Sequence, residues 1–183
     1  MDITFTRTGA RTYEVSVQRD DGVNLRVRTP DKPLKIPHDM AHFVVERGLG
    51  IAFGFWGSIA AGAVFGTVEV VSGRRRPHAA ERSAALIKGN YRDQAAAELY
   101  VAVLQRVADE CRERDSRYVN SQLDEIWRPF RRPRPNVRAE EAERVCRELR
   151  EAGERWASLP VGESVKVTWP AAKRVSSSKR RRA

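Results

Sequence analysis

The chain has 183 residues, of which 41% are hydrophobic and 32% are charged. This composition is typical of a globular protein with one hydrophobic core, and it excludes a chain that is disordered throughout. The formal net charge is +10, but six of the cations lie in residues 170–183, a segment without any acid. A basic DNA-binding domain would instead spread its cations over one folded face.

The distribution of charge predicts the division into a domain and a tail, and the cysteines indicate the redox environment. We expect residues 1–170 to form a single α+β domain and residues 171–183 to be a disordered basic tail, because the tail is rich in serine and cations. Cys111 and Cys146 lie in amphipathic helical patterns and outside any CxxC or Cys/His cluster. These features predict buried, reduced thiols in a cytoplasmic protein, and the N-terminus shows no secretory signal.

The N-terminal segment predicts antiparallel β-strands. Apolar and polar residues alternate through three runs, and an Asp-Gly turn at residues 20–22 separates the second run from the third. The alternating side chains are Ile3 and Phe5, then Tyr13, Val15 and Val17, then Val23, Leu25 and Val27. After a proline-containing break, a first helix is expected to begin at Pro37 and to end near Gly48.

Residues 49–68 contain no charged side chain and are rich in glycine and aromatic residues. The length matches a membrane span, and Gly62 and Gly66 have the spacing of a transmembrane packing motif. However, residues 54–57 have the composition of a turn, after which Ser58 would cap a short helix. We therefore predict that this run is buried in a soluble core, with membrane insertion and a partner surface as the alternatives.

Helical patterns dominate the rest of the chain. One amphipathic stripe runs from Ala96 to Cys111, and further helical patterns lie at residues 123–127 and 138–157. Residues 69–91 are ambiguous between a short strand at residues 68–71 and a helix, whereas the alternation in residues 164–169 predicts a strand. The resulting fold class is α+β, with N-terminal antiparallel strands, a block of amphipathic helices and one C-terminal strand returning to the sheet.

The first predicted helix carries the strongest candidate for a functional site. His38 and His42 have the i, i+4 spacing that lets two imidazoles bind one Zn²⁺, and Asp39 stands where HExxH metalloproteases place their glutamate. Glu46 lies about 12 Å of helix rise beyond His38, so it can hydrogen-bond His42 but cannot bind the same ion without distortion. We predict His38 and His42 as ligands of a divalent metal such as zinc, with Asp39 and Glu46 supporting them.

A third ligand must come from another segment. His78 and Glu81, three residues apart at a predicted helix start, are the nearest chemical candidates. A structural interpretation is also open, in which Asp39 complements the positive helix N-terminus while His42 and Glu46 form a polar pair on a solvated face. Since no local motif assembles a nucleophile with a base, the sequence does not identify any catalytic residue.

Two other functions stay open. The proline-arginine segment 128–135 and the tail form basic patches suited to an accessory protein that binds nucleic acid weakly and without sequence preference. The candidate contacts are Arg131, Arg132, Lys179, Arg180, Arg181 and Arg182. The other alternative is membrane association through residues 49–68, although no membrane span is expected.

Three short patches of the chain resemble a group of uncharacterised bacterial proteins. The patches are His-Asp-x-x-His-Phe at residues 38–43, Gly-Phe-Trp-Gly at residues 54–57 and Thr-Trp-Pro at residues 168–170. The similarity extends over most of residues 1–170. It implies a shared fold, but it implies no activity and no functional residue.

Overall fold

The computed structural model of the protein describes residues 1–28, 35–131, 134 and 136–170. These residues form one antiparallel β-sheet and six α-helices, which confirms the predicted α+β class. The predicted tail, residues 171–183, lies outside the described residues, so its disorder stays a prediction.

The sheet contains five strands. They are β1 (Asp2–Arg7), β2 (Tyr13–Gln18), β3 (Asn24–Val27), β4 (Val68–Ser72) and β5 (Ser164–Thr168), in the spatial order β4-β3-β2-β1-β5. Alternation in β2 buries Tyr13, Val15 and Val17 and exposes the residues between them, so one face of the sheet carries the core and the other is polar. The C-terminal strand returns to the sheet as predicted, with Val167 of β5 opposite Ile3 of β1.

The helices cover the apolar face of this sheet. They are α1 (His38–Leu49), α2 (Phe55–Ala61), α3 (Ala79–Gly89), α4 (Tyr91–Asp109), α5 (Ser116–Trp127) and α6 (Ala139–Ser158). Helix α1 packs against α2, α4 and α6, and its residues 40–46 are all buried. Edge-to-face ring pairs join sheet and helices, as with Phe5 and Trp56 at a centroid distance of 6.1 Å.

The turn predicted at residues 54–57 is wrong, as is the prediction that Ser58 caps the following helix. The chain turns at residues 52–54 and α2 begins at Phe55, so Ser58 lies inside the helix. Trp56 and Ile59 are fully buried, whereas Phe53 is 42% exposed, so the uncharged run contributes to the core only in part. Among the described residues, none of the helices has the length and apolar character needed to cross a bilayer.

Close packing, rather than a turn, explains the two glycines that flank Phe55 and Trp56. A Cβ on Gly57 would lie 1.9 Å from the backbone oxygen of Ala52, and one on Gly54 would lie 2.4 Å from the Glu46 carboxyl carbon. Both positions therefore exclude a side chain, because real Cβ contacts are much longer than these.

The prediction for the cysteines is half correct. Cys146 is buried, whereas Cys111 is exposed. Helix α4 ends at Asp109, two residues before Cys111, which adopts a left-handed φ of 54° in the connection to α5. The apolar stripe in the sequence therefore continues past the point at which the helix stops.

Replacing Gly57 by alanine is expected to destabilise the protein. Alanine has a helix propensity about 1 kcal/mol better than that of glycine, but its methyl group would collide with a backbone atom. We expect the free energy of unfolding to fall by about 1–3 kcal/mol in urea denaturation. Gly66→Ala is the matched control, because no atom lies within 4 Å of its added Cβ. Equal stabilities of the two variants would contradict the packing explanation.

Candidate metal centre

Glu46, near the end of α1, is completely buried. Its Oε1 accepts hydrogen bonds from the Phe55 backbone N–H at 2.8 Å and from His42 Nδ1–H at 3.0 Å, and its Oε2 accepts one from the Trp56 N–H at 3.0 Å. The N–H groups at the start of a helix have no partner within the helix. A carboxylate from α1 therefore caps α2, and the three donors offset the cost of burying its charge.

His42 connects this carboxylate to a second one. Its side chain is 3% exposed, and its Nε2 lies 3.3 Å from Oε2 of Glu98 on α4. Nε2 makes no hydrogen bond with the described residues, so it is a buried nitrogen whose polar contact is this ion pair. Burial opposes the charged form of His42, but the Glu46 and Glu98 carboxylates outweigh burial and raise its pKa to about 9.

His38 completes a group of three donor residues on two helices. Its Nε2 lies 3.6 Å from the same Glu98 oxygen, and its side chain is 44% exposed. One donor atom from each of His38, His42 and Glu98 lies within 4.8 Å of the other two. The pKa of Glu98 lies well below its usual range because His38 and then His42 stabilise the carboxylate.

A cleft of about 400 Å³ adjoins this group. His42 and Glu98 line it, together with Gln94 and the rings of Phe55 and Phe65. The two phenylalanine rings stack at a centroid distance of 5.2 Å. The donor group is therefore open on one side to a small apolar space with a polar amide.

Of the two residues predicted to support the histidines, Glu46 contacts the His42 ring and Asp39 contacts Tyr13 instead. Glu46 hydrogen-bonds His42 as expected, whereas Asp39 accepts a hydrogen bond from the Tyr13 hydroxyl at 2.9 Å and its pKa is raised by burial. Because His42 and Glu46 are both buried, the interpretation of this stripe as a solvated face is wrong.

His78 and Glu81 lie apart from this group. They are 3.8 Å from each other at the start of α3, with side chains 79% and 71% exposed. The third donor beside His38 and His42 is Glu98, whereas the sequence predicts His78 or Glu81 for that role. In the sequence, Glu98 is a glutamate that follows the buried residues Ala96 and Ala97 on an amphipathic helix. Many surface glutamates have the same surroundings, so the sequence does not single out Glu98 as a ligand.

The residues predicted to bind nucleic acid are mostly outside the described part of the chain. Arg131 is described and exposed. Those outside are Arg132, Lys179, Arg180, Arg181 and Arg182. The nucleic-acid alternative therefore stays a prediction.

Comparison with known proteins gives no assignment: no protein-family model, curated protein or solved structure matches the chain. The similarity to the bacterial group stays a prediction. Function must therefore be inferred from the geometry and chemistry of the donor group.

The stability of the metal-free protein should fall between about pH 6.5 and pH 9. Because folding raises the His42 pKa to about 9 from about 6.5 in an unfolded chain, the stabilisation is complete below pH 6.5 and is lost as the pH rises through 9. Urea denaturation in a chelator should show a loss of about 3 kcal/mol. His42→Gln should abolish this loss and His78→Gln should keep it; identical slopes in all three proteins would contradict the assignment.

Glu46→Gln is expected to lower the free energy of unfolding by roughly 2–4 kcal/mol, although the side chain keeps its shape. Three donors converge on the Glu46 carboxylate, so the NH₂ group of glutamine must face at least one of them. Glu151→Gln, on the exposed face of α6, should leave stability within about 0.5 kcal/mol of wild type. Thermal denaturation of both variants tests the difference, and a Glu46→Gln variant as stable as the control would refute it.

Proposed function

We propose that the protein binds one divalent transition-metal ion, with zinc as the best match, through His38, His42 and Glu98. The observation that carries this proposal is the buried His42 Nε2, which lacks a hydrogen-bond partner among the described residues and lies beside two further donors. A buried polar atom without a partner requires an explanation. Imidazole nitrogen and carboxylate oxygen are both ordinary zinc ligands.

The donor spacing supports this choice. Around a tetrahedral ion with bonds of about 2.0–2.1 Å, donor atoms lie about 3.3 Å from one another. The Glu98 oxygen lies 3.3 Å from His42 Nε2 and 3.6 Å from His38 Nε2. The donor atoms of His38 and His42 lie within 4.8 Å of each other, so the partly exposed His38 side chain must rotate toward the buried His42 for all three donors to reach that separation.

Glu46 supports the proposal from the other side of the His42 ring. Its hydrogen bond to Nδ1 keeps a proton on that nitrogen, which leaves Nε2 as the ligand atom. Carboxylate groups placed in this way behind metal-binding histidines fix the ring and raise its basicity. Glu46 thus positions a ligand without binding the ion itself.

The three donors leave the fourth position of a tetrahedral ion free. Zinc sites with two histidines and one carboxylate hold water or a substrate at that position, whereas structural sites are closed by four protein ligands. The cleft lined by Phe55, Phe65 and Gln94 adjoins the donors. We infer a site that receives a small ligand at the ion rather than a site that only stabilises the fold.

Titration of the chelator-treated protein with zinc tests the proposal. Calorimetry should show one strong site per chain, and His42→Gln should weaken it by more than about 100-fold, beyond the 10- to 100-fold loss typical of residues behind the ligands. Glu98→Gln should weaken it by more than about tenfold. Because the Glu98 side chain is 62% exposed, that variant should fold normally even if His42→Gln does not.

His78→Gln/Glu81→Gln is the matched control. It removes one histidine and one glutamate that are also close together but lie in exposed positions at α3. Zinc affinity should stay within about twofold of wild type. Stoichiometric binding that is insensitive to Glu98→Gln, or no strong binding at all, would refute the proposal.

A further inference from the structure

A second cavity, of about 360 Å³, lies where the turn between β2 and β3, the end of α2 and the start of α3 meet. Ala60, Ala61 and Val64 form part of its apolar wall. Four arginines also line it: Arg19, Arg75, Arg76 and Arg82. None of the described residues lines both this cavity and the cleft beside His42, so a ligand bound here would not occupy the proposed metal site.

The two carboxylates that line this cavity already have cationic partners. Asp21 accepts a hydrogen bond from Arg19 Nε at 3.0 Å, and the Arg19 side chain is only 10% exposed. Asp20 lies 2.7 Å from the N-terminal ammonium group of Met1. With four arginines and two carboxylates among the described residues that line it, the cavity keeps an excess of positive charge.

Arg75, Arg76 and Arg82 have no carboxylate partner among the described residues. They are three like charges at one cavity, and they repel one another unless an anion lies between them. The three side chains are solvent-exposed, so their attraction for an anion is strongest at low ionic strength.

We propose that this cavity binds the phosphate groups of a small phosphorylated molecule. Each guanidinium presents a planar fork of N–H donors that matches two phosphate oxygens, and several forks can share one polyanion. A volume of about 360 Å³ lies near the lower end of small-molecule sites, which span roughly 300–1,000 Å³. In the part of the chain that the structure describes, the lining contains no aromatic ring, so it lacks the stacking surface by which proteins hold single-stranded nucleic acid.

Calorimetric titration of the full chain with inorganic pyrophosphate at low ionic strength tests this site. Arg75→Gln/Arg82→Gln should weaken pyrophosphate binding by at least about tenfold, as expected for the loss of charge-assisted hydrogen bonds. Arg117→Gln/Arg155→Gln removes the same charge from exposed positions on α5 and α6. That control should keep the affinity within about threefold of wild type, since exposed charges at a distance are screened.

Three outcomes would overturn the proposal. The first is no binding of pyrophosphate by the wild-type protein at millimolar concentration. The second is binding that Arg75→Gln/Arg82→Gln leaves unchanged, which would assign the anion to other cations of the chain. The third is that a single-stranded oligonucleotide binds the wild type and binds Arg75→Gln/Arg82→Gln more weakly, while pyrophosphate does not bind the wild type. The arginines would then belong to a nucleic-acid surface.

Discussion

The buried carboxylate of Glu46 is the interaction on which this part of the structure depends. An ionised side chain without exposed surface requires a donor for every accepting oxygen, and the two N–H groups that open α2 supply most of them. The requirement fixes the distance and direction between α1 and α2. It also explains why position 54 is glycine, because a Cβ there would occupy the place of the carboxyl group.

The Glu46 carboxylate also fixes the orientation of His42 within the donor group. It orients the His42 ring so that Nδ1 is hydrogen-bonded internally and Nε2 lies 3.3 Å from Glu98 Oε2. In the metal-free protein the imidazolium lies between two carboxylates, which accounts for its raised pKa. Under the proposed function, a zinc ion would compete with the Nε2 proton for one position, so zinc affinity would depend on the free energy of removing that proton as well as on the ligand geometry.

The sequence predicts the strands and most helices because their signals are local. Alternation in β2, the Asp-Gly turn and the apolar spacing of α6 each lie within one element. The pairing of His38 with His42 is visible for the same reason. Glu98 is not visible, because its place beside the histidines depends on how α4 packs against α1. The wrong prediction that Ser58 caps α2 has a related cause. The N–H groups at the start of α2 donate to the Glu46 carboxylate of α1 instead of to a side chain within the same segment.

The three sequence patches at residues 38–43, 54–57 and 168–170 lie together in the folded chain. Phe43 of the first patch meets Trp169 of the third at a centroid distance of 5.9 Å, and the third also borders Gly57 of the second. The Trp56 indole N–H donates to the Asp39 backbone oxygen at 2.8 Å. The patches therefore encode one packed junction between α1, α2 and the end of β5.

Packing at this junction explains most of the residues in the patches, but it does not explain His38. The His38 side chain is 44% exposed, and its ion-pair and ring contacts within the described part of the chain are with Glu98 and His42. An exposed histidine is not needed to bury apolar surface or to satisfy a buried donor. Its position four residues before His42 and close to the same Glu98 oxygen is explained if the three side chains bind one ion. His38 is thus the residue for which a metal-binding role explains the position better than a structural role does.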